Sequence, residues 1–265
     1  MNEIGRLSIS TTTAVFIDSY QHNRSTGSFI LIDTDTSQTV AAGMIIERSR
    51  LSPTFDDSTN VQQEPGEAIL HTETPLVSRQ EREARIGRKA VTIWMTGLSG
   101  SGKSTIAKAF ERSLFDLGIP VTVLDGDNLR RGLNSGLGFS QADRSENLRR
   151  AAEVAALFNA AGISVICSFI APYKADRERA REIIGPESFV EVLVSAPLEA
   201  CEQRDPHGLY KKARSGELSN FTGISDPYEP PTDPALTLHT TIEAKESCAE
   251  SLVKLFLTAS ELRPA

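Results

Sequence analysis

The pattern of apolar and polar positions changes twice along the chain and predicts three regions. Residues 1–50 contain short β-type apolar runs separated by turn-forming residues. Residues 51–77 contain few large apolar side chains, and residues 78–265 alternate strand-like runs with helical spacing. We therefore expect an N-terminal β segment, a linker and one larger α/β domain.

The first region contains three short runs of strand-forming residues, at residues 14–17, 29–32 and 40–46. Turn-rich pieces at residues 22–27 and 33–37 separate them. Three such strands alone would cover too little apolar surface to be stable. We therefore expect this region to be part of a larger β-barrel.

The second region is rich in Ser, Thr, Pro, Asp, Glu and Gln. Such a composition buries too little apolar surface to offset the entropy lost on ordering, so residues 51–77 are predicted to be a flexible linker. Directly after it, Ser78 and Glu81 have the spacing of a capping box. They predict a short polar helix through Arg85.

The third region alternates strand and helix patterns from residue 90 onward, which predicts a doubly wound parallel sheet with helices on both faces. The strands are predicted around Val91 to Trp94 and at residues 121–124, 164–169, 189–194 and, more weakly, 235–238. The helices are predicted at residues 104–117, 145–161, 175–184, 198–204 and 248–257.

A glycine-rich loop lies between the first of these strands and the first helix. Its spacing, Gly97-x-x-x-x-Gly102-Lys103-Ser104, matches the Walker A pattern. Small residues let successive N–H groups converge on phosphate, and the following helix adds its positive end. Lys103 is expected to reach the β and γ phosphates, and Ser104 to ligate Mg²⁺.

This loop predicts the P-loop NTPase fold class and a site for a nucleoside triphosphate with Mg²⁺. The alternative is that a glycine-rich turn matches the Walker A pattern by chance. The predicted nucleotide-binding residues of the loop are Gly97, Leu98, Ser99, Gly100, Ser101, Gly102, Lys103, Ser104 and Thr105.

Composition and charge narrow the class of protein. The chain has 265 residues and a net charge of -7, which argues against a nucleic-acid partner because no broad basic face is available. Its three cysteines are far apart and set among apolar neighbours, which is typical of reduced core thiols. No apolar run has the length of a membrane span, and no signal peptide is apparent. We expect a cytoplasmic protein with no membrane association.

Candidate chemistry for a phosphate acceptor follows the second predicted strand. Asp127 belongs to the block at residues 124–131 that follows that strand directly, where a carboxylate faces the phosphate loop in folds of this kind. It is predicted to accept a proton from the acceptor hydroxyl or to orient Mg²⁺ through water, and Arg130 to hold an anion. The alternative is a turn with a helix N-cap, since Asp and Asn are favoured there.

A second block, residues 138–150, combines an aromatic ring with cations. Asp143 and Glu146 have capping-box spacing. Phe139 offers a ring for stacking on a base, and the block also contains side chains suited to phosphate or sulfate, namely Arg144, Asn147 and Arg150. On the charge pattern alone, a solvated helix face is an equally good interpretation.

Two further segments are candidates for the acceptor site. Residues 168–173 end the third strand and are predicted to line the acceptor pocket; a buried strand end has a similar composition, and both interpretations stay open. Residues 204–214 and 220–224 contain proline, glycine and basic residues in a long connection, which predicts a mobile lid. The alternative is a charged surface loop, and His207 is read as a turn residue.

These blocks together resemble adenylyl-sulfate kinase, over about residues 80 to 260. The motifs that carry the resemblance lie at residues 97–105, 124–128, 136–147, 168–173, 205–214 and 221–224. The resemblance implies a phosphotransferase of sulfate assimilation, which transfers the γ-phosphoryl group of MgATP to the ribose 3′-hydroxyl of adenylyl sulfate (APS). The products are 3′-phosphoadenylyl sulfate and ADP.

The same resemblance implies roles for individual residues. Phe139 and Phe221 sandwich the adenine of the acceptor, and its phosphosulfate is held by Arg130, Arg144 and Asn147. The catalytic residues are Lys103, Asp127 and Lys211, and the metal site is formed by Ser104 and Asp127. Ile170 and Lys211 also contact the acceptor. Arg204 contacts ATP. The resemblance also implies a homodimer and association with ATP sulfurylase subunits.

One position departs from the family pattern. Many members have a serine, a candidate phosphoserine, where this chain has Ala171. A phosphoenzyme through that position is therefore excluded, and direct in-line transfer is the simpler mechanism. Ser168 lies at a different offset and is not assumed to substitute.

The N-terminal region resembles a second family. Residues 24–33 and 39–45 are similar to the last strands of the elongation-factor-like GTPase subunit of bacterial ATP sulfurylase, which precedes a kinase domain in bifunctional sulfate-activation enzymes. The sequence contains no Asn-Lys-x-Asp. We expect a remnant or truncated end of that domain, without GTPase activity.

Two alternative functions stay open. One is a P-loop kinase for another small acceptor such as a nucleoside or shikimate, against which the Asp127 and 139–147 blocks argue. The other is a nucleotide-dependent switch or scaffold that docks through the β segment. The absence of Asn-Lys-x-Asp weakens the second, and acceptor-dependent release of ADP would exclude a scaffold.

Overall fold

The computed structural model describes residues 28–32, 39–45 and 75–262. The chain divides into two units, Met1–His71 and Thr72–Ala265, which are described separately. The linker predicted at residues 51–77 lies mostly outside the described residues.

The described part of the first unit is a pair of antiparallel strands, β1 (Ser28–Ile32) and β2 (Thr39–Met44). A side chain at Gly43 would start 2.5 Å from the Phe29 ring, so this glycine makes room for the aromatic residue on the facing strand. The strands predicted at residues 29–32 and 40–46 are confirmed, although β2 ends earlier. The run at residues 14–17 and the two turn segments lie outside the described residues.

The second unit contains a parallel five-stranded sheet in the order β4-β5-β3-β6-β7. This confirms the predicted doubly wound sheet. All five residues of the central strand are buried, as expected of a strand that is covered on both faces. The strands are β3 (Thr92–Thr96), β4 (Val121–Asp125), β5 (Ser164–Ser168), β6 (Phe189–Ser195) and β7 (Leu236–His239).

Helices cover both faces of this sheet, as predicted. On one face α2 and α8 bury Phe110 against Phe256, with ring centroids 6.1 Å apart. On the other face α4 and α5 cover Trp94, whose ring lies between Phe169 and Phe189. The helices are α1 (Arg79–Ile86), α2 (Lys103–Asp116), α3 (Gly126–Arg131), α4 (Gln141–Ala160), α5 (Lys174–Ile184), α6 (Leu198–Arg204), α7 (Leu209–Arg214) and α8 (Lys245–Ala259).

Helix α1 begins with the predicted capping box. The Ser78 hydroxyl accepts from the Glu81 N–H, and the Glu81 carboxylate accepts from the Ser78 N–H. The helix is then fixed to the start of β3 by a buried carboxylate: Glu83 Oε1 accepts from Arg79 Nε at 2.8 Å and from the Ala90 N–H at 3.0 Å. Helix α1 is therefore bonded to the strand that leads into the glycine-rich loop.

The capping box predicted from Asp143 and Glu146 is wrong. Helix α4 begins at Gln141, because the Ser140 hydroxyl caps it by accepting from the Asp143 N–H at 3.2 Å. Glu146 instead pairs with Arg149 and Arg150, both at 2.7 Å. These two hydrogen bonds lower the pKa of Glu146 to about 2.

Helices α3 and α7 were not among the predicted helices. Asp125 caps α3 by accepting from the Asp127 N–H at 3.1 Å. Helix α7 lies inside the segment predicted to be a lid, and the Asp205 carboxylate accepts from the N–H groups of Tyr210 and Lys211 at its start. Helix α8 also begins at Lys245, three residues before the predicted start.

Candidate active site

The glycine-rich loop joins the central strand β3 to helix α2, as predicted. Gly97 has φ +157°, and a Cβ atom there would lie 2.3 Å from the Val194 carbonyl oxygen of the neighbouring strand. Gly100 has φ +73°, and its Cβ would lie 3.0 Å from the Cys201 carbonyl oxygen. Only glycine allows this close approach of backbone segments, so β6 and α6 hold the loop in place.

Lys103 begins α2 and is 8% exposed. Its ammonium group donates to the carbonyl oxygens of Gly97 at 2.8 Å and Leu98 at 2.7 Å. Burial lowers the pKa of Lys103 from 10.5 to about 8, although Cys201, Asp125 and Asp127 act in the opposite direction. The ammonium group of Lys103 therefore lies inside the glycine-rich loop, beside Gly97.

The hydroxyl of Ser104 faces the ends of strands β4 and β5. It donates to Asp125 Oδ2 at 2.8 Å and lies 3.3 Å from Ser168 Oγ. Asp125 and Ser168 are opposite each other in the parallel register. The contact to Ser104 is thus made by Asp125, the last residue of β4, whereas the predicted residue Asp127 is the second residue of α3.

This cluster fits Mg²⁺. Hydroxyl and carboxylate oxygens are the ligands that Mg²⁺ prefers, and it usually takes one or two protein groups together with substrate phosphates and water. In the described ranges no group of three or more His, Cys, Asp or Glu residues could hold a metal ion by itself. Ser104 and Asp125 supply one hydroxyl and one carboxylate for such an ion.

A single cavity of about 1100 Å³ connects the glycine-rich loop with the predicted acceptor residues. Of the predicted site residues, those that line it are Ser99, Gly100, Gly102, Lys103, Ser104, Thr105, Asp127, Arg130, Phe139, Arg144, Asn147, Ile170, Arg204 and Phe221. Those that do not are Gly97, Leu98, Ser101 and Lys211. The two halves of the predicted site thus share one cleft.

The two predicted aromatic residues have different environments. Phe139 is 64% exposed, and the guanidinium of Arg130 lies 4.5 Å from its ring centroid. Arg130 also donates to the Gly138 carbonyl oxygen at 2.7 Å. Partial burial, and secondarily the charge of Arg144, lower the pKa of Arg130. Phe221 is buried and packs edge-on against Tyr210, at 4.9 Å between centroids.

Arg144 connects helix α4 with residues 220–224 of the predicted lid. It donates to the Asn220 carbonyl oxygen at 2.6 Å and to Thr222 Oγ1 at 3.1 Å. Asn147, one turn further on, is buried, and its Oδ1 accepts from Asn134 Nδ2 at 2.9 Å. This leaves the amide N–H₂ of Asn147 as the group available to an anion in the cavity.

Arg204 connects the glycine-rich loop with the turn after β7. It donates to the carbonyl oxygens of Gly100 at 3.2 Å and Thr240 at 2.7 Å, and the Thr240 hydroxyl donates to the Ser101 carbonyl oxygen at 2.8 Å. Lys211 is exposed on α7 and is not among the residues that line the cavity. His207, read from sequence as a turn residue, does line the cavity.

Several residues of the site had no recognised signal in the sequence. They include the Ser104 partner Asp125, the Arg204 partner Thr240 and the Asn147 partner Asn134. Asp125 was detectable in principle, because it directly follows the strand predicted at residues 121–124 and stands two residues before Asp127. Asn134 and Thr240 have no motif, and only the tertiary structure brings them to the site.

The fold and this site define a P-loop kinase, a protein in which a glycine-rich loop after a central strand faces an acceptor pocket across one cleft. Comparison with known proteins gives the family. Residues 89–239 match the family model for adenylylsulphate kinase. The chain belongs to the adenylyl-sulfate kinase family, as the sequence motifs predicted.

Two relatives and one solved structure illustrate the match. An adenylyl-sulfate kinase from Clostridium acetobutylicum is 51% identical over 178 residues, which cover 67% of this chain and 88% of the relative. The bifunctional enzyme NodQ of Azospirillum brasilense is 46% identical over 255 residues, or 96% of this chain and 39% of the relative. The structure of the Mycobacterium tuberculosis APS kinase CysC in complex with AMPPNP and APS is 47% identical, with a TM-score of 0.61, and covers 63% of this chain and 97% of that one.

The N-terminal segment matches a different family model. Residues 1–46 match the GTP-eEF1A C-terminal domain-like model, which confirms the resemblance to an elongation-factor-like GTPase subunit. The chain spans 39% of the length of NodQ from Azospirillum brasilense. In the described part of the chain, no helix combines the length and the apolar character needed to cross a membrane.

Proposed function

We propose that this protein transfers the γ-phosphoryl group of MgATP to the ribose 3′-hydroxyl of adenylyl sulfate, giving 3′-phosphoadenylyl sulfate and ADP in sulfate assimilation. The observation that carries the proposal is the shared cavity, which has the glycine-rich loop on one side and Phe139, Arg144, Asn147 and Phe221 on the other. The Mycobacterium tuberculosis relative was solved with a triphosphate analogue and APS together, which supports the same pair of ligands here.

In this proposal the triphosphate lies on the backbone N–H groups of residues 97–105, and Lys103 turns from its loop carbonyls toward the β and γ phosphates. Mg²⁺, when bound, neutralises charge on the phosphates. Ser104 would hold it directly and Asp125 through the Ser104 hydroxyl. Arg204 orients the loop by its bond to Gly100 and borders the nucleotide.

On the acceptor side, Phe139 and Phe221 stack on the adenine, and Arg130, Arg144 and Asn147 bind the phosphosulfate. Arg130 now covers one face of Phe139, so the base takes the other face or displaces the guanidinium. Asp127 accepts the proton of the attacking hydroxyl. Lys211 contributes only if α7 moves toward the cavity, as expected of a lid.

Transfer is direct in this proposal, because Ala171 has no hydroxyl to carry a phosphoryl group. We also propose a division into a barrel segment at residues 1–50, a linker at 51–77 and a kinase domain at 78–265. We further propose a cytoplasmic homodimer that associates with ATP sulfurylase subunits. Relatives named as bifunctional enzymes support a link to a second activity.

The experiment is a kinase assay on the purified full chain with MgATP and APS. We expect ADP release that depends on APS and a product with the new phosphate on the ribose 3′-oxygen, identified by mass spectrometry and NMR. Lys103→Ala should abolish transfer and leave the thermal unfolding cooperative. Phosphorylation of a nucleoside, gluconate or shikimate, together with no phosphorylation of APS, would overturn the proposal.

A further inference from the structure

Ala171 has an unusual backbone conformation. It is one of two non-glycine residues in the described part of the chain with a positive φ, at +43°. This region is strained for residues with a Cβ atom and persists only where the surroundings hold it. Ala171 is also 2% exposed and follows the end of β5, so the strain lies in the wall of the cavity.

A buried arginine holds this turn. Arg177, in the first turn of α5 and 3% exposed, donates from Nη1 to the Ala171 carbonyl oxygen at 2.9 Å. Its Nε donates to Glu191 Oε1 of β6 at 2.7 Å. The ion pair is almost completely removed from solvent. A charged donor bonded to a carbonyl in such a place is stronger than a neutral one.

The turn joins the two halves of the cleft. The carbonyl oxygen of Ile170 accepts from Thr96 Oγ1 at 2.6 Å and from the Gly97 N–H of the glycine-rich loop at 3.4 Å. The Pro172 carbonyl oxygen accepts from the Glu229 N–H at 2.8 Å, in the segment that follows the predicted lid. A displacement of Ala171 would therefore move the acceptor wall relative to the phosphate loop.

We propose that Arg177 is a positioning residue for the acceptor. Arg177 does not line the cavity described above. Through the Ala171 carbonyl it holds residues 170–172 in the strained turn that places the acceptor hydroxyl opposite the triphosphate. This inference rests on the proposed function for the identity of the acceptor. It accounts for a buried charged pair at a place where two apolar side chains would also fill the space.

The test is a double variant, Arg177→Met with Glu191→Leu, which removes both charges and leaves neither one buried alone. The expected result is a KM for APS raised about tenfold or more, with a lower kcat, while the KM for ATP changes by less than about threefold. Adding Ala171→Gly should recover most of the loss, since glycine adopts φ +43° without strain. The matched control is Arg79→Met with Glu83→Leu, which removes an ion pair on α1 whose two residues do not line the cavity. It should lower thermal stability and leave both KM values unchanged.

Three outcomes would overturn the inference: an unchanged KM for APS, a parallel rise of both KM values, or no recovery with Ala171→Gly. Hydrogen exchange of the Gly97 amide, which donates to the Ile170 carbonyl oxygen, supplies a readout that needs no turnover. It should quicken in the double variant, return with Ala171→Gly and stay unchanged in the control pair. If the wild type does not phosphorylate APS, the proposed function fails while the exchange data still decide the role of Arg177.

Discussion

Lys103 is expected to make the folded protein less stable than it would be with a neutral side chain at this position. Burial lowers the pKa of Lys103 from 10.5 to about 8, so the unfolded chain binds this proton more tightly than the folded one. At about 1.4 kcal/mol per pKa unit, keeping the charge costs the folded state about 3 kcal/mol at pH 7. The cost is complete below pH 8 and disappears as the pH rises toward 10.5.

The perturbation that isolates this cost is Lys103→Met, which fills a similar volume without a charge. The variant also loses the hydrogen bonds to the Gly97 and Leu98 carbonyls, which lowers its unfolding free energy by about 1–2 kcal/mol at every pH. The quantity to examine is therefore the difference in unfolding free energy between wild type and variant as a function of pH. We expect wild type to gain about 2 kcal/mol relative to Lys103→Met between pH 7 and pH 9.5.

Urea unfolding followed by tryptophan fluorescence measures this difference, because Trp94 is the single tryptophan of the chain and is fully buried in the sheet. Other groups that titrate in this range occur in both proteins, so their contributions cancel in the difference between the two unfolding free energies. Lys108→Met removes an exposed lysine from the same helix and should show no such pH dependence. A difference for Lys103→Met that stays constant within about 0.5 kcal/mol from pH 7 to 9.5 would refute the reasoning.

Three other predictions follow from the same geometry. Since Lys103 must be charged to bind phosphate, kcat/KM for ATP should fall about tenfold per pH unit above pH 8, a loss that a flat profile to pH 9.5 would contradict. Asp125→Ala should raise the Mg²⁺ concentration for half-maximal activity roughly 10- to 100-fold in a magnesium titration, whereas the exposed Asp233→Ala should not. Glu83→Ala should lower the unfolding free energy by about 2 kcal/mol and Tm by about 4–8 °C in calorimetry, against a negligible change for the exposed Glu178→Ala.

The sequence predicted the parts of the fold that have local signals. The glycine-rich loop depends on residue types at fixed spacing, and the buried strands on continuous apolar runs, so both were located correctly. The start of α4 was misplaced because Ser140 and Asp143 are both good N-cap residues, and the local sequence does not favour one over the other. Helix α7 was hidden in a segment whose glycine and proline residues indicated a loop.

The parts of the site that were missed depend on register and on long-range packing. Asp125 and Asp127 look alike in sequence, and only the pairing of Asp125 with Ser168 across β4 and β5 brings the former to Ser104. The contact of Arg177 with Glu191 joins helix α5 to β6, the next strand of the chain, across a separation of 14 residues. No periodicity within either element predicts such a contact, because each residue by itself is typical of a solvated charge.

The central position of β3 has a consequence for how the protein is made. Both strands that flank β3, β5 and β6, come later in the chain, and the second of them is separated from it by about ninety residues. At about 5–20 residues per second, the ribosome needs roughly 5–20 s to supply that partner after β3 has been synthesised. Until then β3 has only β5 beside it, and the Val194 carbonyl of β6 that packs against Gly97 is missing. We therefore expect ATP to stabilise the finished domain but not the nascent one.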